Sequence, residues 1–315
     1  MKLVLAPLAD FTNAAFRKLA YELGADLTYT EMVSAAALAH GSSPTRHLFE
    51  KLPDEGPVAC QIFGHNPDEL AYAAREATAL KRFVAIDLNA GCPMPRIRHE
   101  GDGAALVPQP QLVHDLLVAI KRETDLPVTL KTRPGPSPDR MTMFELLDAA
   151  ETAGCAGLTL HARFTSQMHG GPVHLDLLAE LVQRAHIPIT GNGGVHNEET
   201  LKAMLETGVD AVMLGRAAIT NPEHFAALRG LPAPSPKELY LRHINYLLDF
   251  QKQLTCKFPD DHVPSPDGFV SVALHRHLFH YFRGLPGAAE IRRRLNTIRT
   301  LDETLALAES FTQTH

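Results

Sequence analysis

The first 230 or so residues repeat one pattern: a short apolar run, a turn, and a longer amphipathic stretch. Strands are expected at "LVLAP" (3–7), "DLTYTE" (26–31), "VACQIFG" (58–64), "VAIDLNA" (84–90), "VTLKTR" (128–133), "LTLHAR" (158–163), "IPITGNGG" (187–194) and "AVMLGRA" (211–217). Helical periodicity falls between them, near 12–23, 67–80, 109–123, 141–153, 173–185, 197–206 and 221–229. The link from 32 to 57 has the least definite pattern. Asn66-Pro67, Asn197 before Glu198-Glu199, and Asn221-Pro222 are helix start signals. Runs that are apolar on both faces and separated by helices call for a parallel sheet covered on both sides. Eight such units fit a (β/α)8 TIM barrel, with an open doubly wound sheet as the competitor. Polar residues decide for the barrel. Gln61, Asn89, Lys131, His161, Asn192 and Arg216 stand at strand C-termini. A barrel gathers those positions on one face, whereas an open sheet spreads them along a line.

Past residue 230 the texture changes. "GLPAPSPKE" reads as a proline-rich linker, and the segments beyond it are helical. The expected organisation is a catalytic barrel over 1–232 and a small all-helical C-terminal domain over 233–315. The four cysteines, at 60, 92, 155 and 256, form no CxxC pair and match no zinc spacing. Neither a disulfide framework nor a bound metal is expected. The N-terminal "MKLVLAPLAD" is too short for a signal peptide, and no later run is of membrane-spanning length. The expectation is a cytoplasmic protein without a membrane partner. Net charge is −6, which taken alone argues against a nucleic-acid partner. Ser271 to Thr300, however, holds six arginines, three histidines and the single acid Glu290. Such a segment suits either phosphates or a solvated helix face.

The candidate site assembles from strand ends. "GNGGV" and "VMLGRAA" leave backbone N–H groups of Gly193, Gly194 and Gly215 open beside Arg216, at the two loops where barrels often hold phosphate. Lys131 at a strand end needs an anionic partner, because a buried unpaired charge is costly. Gln61 can bond an amide edge, and His161 either joins it or is a satisfied core histidine. The loop with Pro7, Leu8 and Ala9 supplies backbone contacts and an apolar floor. Together these suggest a flat, phosphate-bearing, electron-accepting cofactor such as FMN. Cys92 follows the fourth strand and overlooks the same cavity, where a thiol can act as a general acid. Asn89, three residues earlier, can orient a polar heterocycle. Cys60 and Cys155 read as core filler.

These residues carry a resemblance. "LAPLADFTNAAFRKL", "TEMVSA", "QIFG", "DLNAGCP", "GDGAAL", "VTLKTR", "HARFTSQ", "GNGGV" and "GVDAVMLGRAAITNP" resemble the successive motifs of the tRNA-dihydrouridine synthases. "HLFHYFRGLPGAAEIRRRLNTI" resembles that family's helical domain. The resemblance implies FMN-dependent reduction of uridine to 5,6-dihydrouridine in tRNA, with NADPH as reductant and Cys92 as proton donor. It implies FMN contacts from Pro7, Leu8, Ala9, Gln61, Lys131, His161, Asn192, Gly193, Gly194, Gly215 and Arg216. It places Asn89 and Arg133 near the target nucleotide. The chain departs from the family at Leu8 and Asp10, at Met94-Pro95-Arg96, and at "HARFTSQMHGG", where Met168 and His169 replace a common tyrosine.

The chemistry is consistent with that implication. The uracil C5=C6 bond is conjugated to the C4 carbonyl, so hydride from the reduced flavin arrives at C6 and a proton must follow at C5. Asn89 and Arg163 can stabilise the charge that develops on O4. A base inside folded RNA must be flipped out, and phosphate contacts offset the cost. Arg276, Arg283, Arg292, Arg293 and Arg294 form one candidate patch, and Arg96 and Arg98 on the Cys92 loop form a second. Phe279, Tyr281 and Phe282 read as core rather than stacking platforms. The alternatives are an FMN barrel acting on a free pyrimidine, another small molecule or a different RNA; an RNA-binding module without redox chemistry; and an aldolase-type barrel with Lys131 as Schiff base.

Overall fold

The computed structural model describes residues 1–283 and 287–309. Residues 284–286 and 310–315, which include part of the "HYFRGLPG" segment and the end of "DETLALAESF", lie outside the described residues. The chain folds as a (β/α)8 barrel followed by helices. The strands are β1 (Lys2–Leu5), β2 (Thr28–Tyr29), β3 (Val33–Ser34), β4 (Val58–Phe63), β5 (Ala85–Asn89), β6 (Val128–Thr132), β7 (Gly157–His161), β8 (Ile189–Asn192) and β9 (Ala211–Leu214). All pair in parallel. β2 and β3 both pair with β4, so they are two halves of one stave. The ring closes where the Asp26 N–H donates to Leu3 O (2.8 Å) and the Leu5 N–H to Leu27 O (2.9 Å).

The second stave is broken for a local reason. Tyr29 pairs with Ala59 and Val33 with Ile62, so one extra residue is inserted, which is a bulge. At the break the Gln61 N–H donates to the Thr30 hydroxyl (3.0 Å) in place of a backbone carbonyl. The ill-defined 32–57 link holds β3 and two short helices, Ala35–Ala39 and Ser43–His47.

Parity then sorts the side chains. Leu3, Leu5, Val58, Cys60, Ile62, Ile86, Leu88, Val128 and Leu130 point outward into the main core, beneath the surrounding helices. Val4, Ala6, Tyr29, Ala59, Ala85, Ala211 and Met213 form a separate cluster, the floor of the barrel interior. Gln61, Asp87, Asn89, Thr129, Lys131, Thr159, His161 and Asn192 share the inward parity. The interior above an alanine-rich floor is therefore polar.

Helices start where the caps predict at Asn66, whose side chain accepts from the Asp68 and Glu69 N–H groups, and at Asn197. Asn221 behaves differently. It ends the helix Arg216–Thr220, and the next helix begins at His224. Pro222 has no N–H to continue a helix from residue 218, so the segment breaks in two.

After an irregular stretch, Pro236–Lys257 forms a long helix capped by Ser235. Pro266–Arg276, a 3-10 turn at Leu278–Phe282, Ala288–Leu295 and Leu301–Ala306 follow. Leu239, Tyr240, Ile244, Leu247, Tyr281 and Phe282 belong to the same buried cluster as the barrel's outer face. Tyr281 and Phe282 are thus core, as their spacing suggests. Glu50 of the barrel accepts from Lys257 (2.5 Å) and Gln253 (3.2 Å) of the long helix. Among the described residues no helix is long and apolar enough to cross a membrane.

Candidate active site

The mouth of the barrel is a ring of polar side chains linked edge to edge. Asn89 and Lys131 are register partners, as are His161 and Asn192. Lys131 Nζ donates to Asn192 Oδ1 (3.2 Å), and Asn192 Nδ2 donates to the Met213 carbonyl (2.7 Å). Asn89 Nδ2 donates to Gln61 Oε1 (2.8 Å). The structure therefore brings Gln61, Asn89, Lys131, His161 and Asn192 together, from five different strands. Pro7 is buried at the end of β1, Leu8 packs on the floor cluster, and Ala9 is exposed.

Cys92 lies just past β5 and is half-buried. Its N–H and that of Gly91 both donate to Asn89 Oδ1, at 2.9 and 3.0 Å, so the asparagine anchors the thiol's loop. Behind it, the Ala104 N–H donates to the Cys92 carbonyl (2.9 Å). Gly103 has φ +57, and a Cβ there would stand 2.8 Å from that carbonyl, so the close approach requires glycine. Burial pushes the Cys92 thiol above its ordinary value of 9.0; the Met94 N–H and the Arg133 and Lys131 charges offset this in part. The group is a thiol, not a thiolate, at neutral pH.

The other side of the mouth is cationic. Burial, then the Arg133 charge, pulls Lys131 down, while Asp87 opposes. Burial, then Lys131, Arg133 and Arg163, holds His161 well below 6.5, so its imidazole is neutral. His161 Nε2 and Arg163 Nη1 are buried with no hydrogen-bond partner among the described residues. Both face Gly193: a Cβ there would lie 3.3 Å from Arg163 Nη1 and 3.7 Å from His161 Nε2. Gly193 and Gly194 have φ +119 and +78, which turns their backbone to line the hollow. Arg163 Nη1 can only donate, His161 Nε2 donates or accepts by tautomer, and both cost free energy while buried without a partner. Two such groups over an open glycine turn fit an anionic, hydrogen-bonding ligand of the kind Lys131 also suits. Arg216, at the start of its helix, donates to the His169 carbonyl (2.6 Å) and adds to the same field.

Arg133 carries a structural load through Nε and Nη1. It is 1% exposed, and it donates to the Gly91 (2.6 Å), Arg163 (3.2 Å), Phe164 (3.2 Å) and Met168 (2.8 Å) carbonyls. It ties the Cys92 loop to the loop after β7. Arg96 and Arg98 are exposed on the short helix Pro95–His99, where Arg96 lies 3.7 Å from Glu100. Arg276 pairs with Asp10 (2.6 Å) beside the β1 loop. Arg292, Arg293 and Arg294 are exposed between buried Ile291 and Leu295, and Arg293 pairs with Glu290 (2.6 Å). Arg283 is exposed at the end of the 3-10 turn.

Sequence reasoning missed Asp87, the carboxylate beneath this ring, and Thr129, which donates to it (2.6 Å). Asp87 lies two residues before Asn89, so period-2 parity already points it inward. It also missed the pair His65–Asp102 (2.7 Å), which ties the loop after β4 to the Cys92 loop; no local pattern links those positions. Among the described residues, no cluster of three or more His, Cys, Asp or Glu side chains is set to hold a metal.

A closed parallel barrel with polar and cationic groups from many strands at its C-terminal face defines a TIM-barrel enzyme. Comparison with known proteins narrows that class. A family model described as "Dihydrouridine synthase (Dus)" matches residues 4–315. The chain is 38% identical over 236 residues to "Probable tRNA-dihydrouridine synthase" of Treponema pallidum, covering 72% of this chain and 69% of that one. It is 32% identical to "tRNA-dihydrouridine synthase B" of Salmonella typhimurium and 30% identical to that of Escherichia coli, covering 98% of this chain and 95% of each relative. The chain belongs to the dihydrouridine synthase family.

Proposed function

We propose that this enzyme reduces uridine to 5,6-dihydrouridine in tRNA, with FMN as cofactor and NADPH as reductant. The observation that supports this most is the pairing of a protonated, half-buried thiol with a cationic, donor-rich hollow at one barrel mouth. The orphaned His161 Nε2 suits a polar atom of the cofactor. Lys131 and Gln61 suit its ring edge, and Gly193, Gly194, Gly215 and Arg216 suit its phosphate. Pro7, Leu8 and Ala9 border the same mouth. FMN, when bound, supplies hydride to C6 of the uracil ring.

The chain's own residues do the rest. Cys92 Sγ gives its proton to C5 and regains one from solvent. Its raised pKa keeps the proton in place until charge develops at C5; the far greater basicity of the enolate carbon then drives the transfer. Asn89 holds the loop that carries the thiol. Arg163, whose Nη1 lacks a partner, suits the charge that develops on O4. Arg96 and Arg98 stand on the thiol's own loop, and Arg276, Arg283, Arg292, Arg293 and Arg294 extend the basic surface over the helical region from about residue 233. Those groups contact RNA phosphates and help offset the cost of extracting the base.

The test is a map of dihydrouridine in tRNA from cells with and without the gene, alongside the absorbance spectrum of the purified protein. Loss of specific dihydrouridines and a flavin spectrum are expected. Unchanged tRNA and a colourless protein would overturn the reading.

A further inference from the structure

Asp87 is a fully buried carboxylate, 0% exposed, with no part in the chemistry above. Burying a charge is costly, so its place in the barrel calls for a reason. Both its oxygens are in use. Oδ1 accepts from Thr129 Oγ1 (2.6 Å), and Oδ2 accepts from Gln61 Nε2 (2.6 Å).

An ionised carboxylate can only accept hydrogen bonds. Gln61 must therefore turn its NH2 toward Asp87 and its Oε1 upward. Asn89 Nδ2 donates to that oxygen at 2.8 Å and also touches Met32 Sδ at 2.8 Å. This leaves Asn89 with its oxygen toward the thiol's loop, where it accepts the Gly91 and Cys92 N–H groups. Each link has one polarity: the carboxylate fixes it from below and the two loop N–H donors match it from above. A flipped Asn89 would oppose an NH2 to two backbone N–H donors, and the loop would move away.

We propose that Asp87 is a positioning residue for Cys92, acting through the orientation of Gln61 and Asn89. The inference rests on Cys92 as the proton donor only for its catalytic meaning; the relay itself stands on the hydrogen bonds. The side-chain amides of glutamine and asparagine each have two nearly isosteric flips, and a partner that can only accept, or only donate, selects one. Burial raises Asp87 to about 6, opposed by the Gln61 and Thr129 hydrogen bonds and then by the charge of Lys131, register partner of Asn89, so the carboxylate is ionised at neutral pH.

The experiment measures alkylation of Cys92 by iodoacetamide in the full-length protein as purified, read by mass spectrometry of the Cys92 peptide. A Cys256→Ser background removes the exposed thiol, and buried Cys60 and Cys155 report an intact barrel by staying unmodified. Asp87→Leu is expected to raise the Cys92 rate by roughly fivefold, the effect of losing about one net hydrogen bond. Asp87→Asn, which can still offer an oxygen to Gln61, should fall between it and the parent. Asn89→Ala should match Asp87→Leu, and combining the two should add nothing, because both cut one relay. If Asp87→Leu does not fold, Gln61→Leu cuts the next link and should give the same rate.

A rate unchanged in Asp87→Leu or Gln61→Leu, or effects that multiply in the double variant, would overturn the relay. Dihydrouridine formation is scored in parallel. Shifted alkylation beside a parent protein that makes no dihydrouridine overturns the functional reading and leaves the relay. An active parent with unshifted alkylation does the reverse.

Discussion

Replacing Arg133 by methionine separates a clamp from a substrate contact. The side chain is almost wholly buried and reaches four carbonyls on two loops. Two of the four bonds, to Gly91 and Met168, are short; the other two share the Nη1 that serves Met168. Methionine fills similar volume, so the cavity contribution is small. What remains are the two closely held carbonyls, each costing about 1–3 kcal/mol when buried without a donor. The expected loss is about 2–6 kcal/mol, a large part of the ~5–15 kcal/mol that holds a typical protein folded. Burial already pulls the guanidinium down to about 10, so the clamp carries a desolvation cost that limits its net contribution. Urea unfolding followed by circular dichroism measures the change. Arg133→Lys restores a charge, but one ammonium cannot span Gly91 and Met168, so it should recover less than half. A urea midpoint equal to the parent's, with KM for tRNA raised, would refute the clamp and return Arg133 to the substrate.

Three further outcomes are expected. On the proposed FMN and NADPH chemistry, Cys92→Ala should still bind flavin and oxidise NADPH while dihydrouridine formation falls roughly a hundredfold or more; a wild-type rate would remove the thiol from the mechanism. Charge reversal of Arg292, Arg293 and Arg294 should weaken tRNA binding and lower its salt slope by roughly one for each phosphate no longer neutralised, with flavin content unchanged. Acid should loosen the junction of barrel and helices. His277 is 3% exposed beside Phe11, Phe16 and His243, and burial holds it down at about 4 against an ordinary 6.5. The unfolded chain takes up the proton first, so this stability is complete above pH 6.5 and is lost as pH falls toward 4. The loss amounts to about 3 kcal/mol, and His277→Phe should flatten the fall in Tm over that window.

Much of this molecule is legible in its strands. Alternation in "VAIDLNA" and "VTLKTR" says which residues share a face, and the polar ones at strand ends say which end is the mouth. The bulge between Tyr29 and Val33 is not legible, because it depends on Thr30 standing opposite Gln61 on another strand. Asn221 departs from its expected role for a similar reason. An asparagine before proline opens one helix and closes another with equal ease, and the helix beginning at Arg216 decides which. Asp87 can be found by counting two back from Asn89. Its significance cannot, since it depends on Gln61 and Thr129 arriving from neighbouring strands.

By itself the sequence determines the barrel and the roster at its mouth, because side-chain parity along a strand is a local property. Only the folded chain decides which members of that roster are free to act. Arg133 and Arg163 each follow an inward mouth residue, Lys131 or His161, by two positions. Yet Arg133 commits Nε and Nη1 to carbonyls of residues 91 and 163–168, while among the described residues Arg163 bonds through Nε alone, to the Gly171 carbonyl, and leaves Nη1 buried without a partner. A donor's satisfaction depends on acceptors brought by loops dozens of residues away, and no spacing along a strand encodes where those loops come to rest.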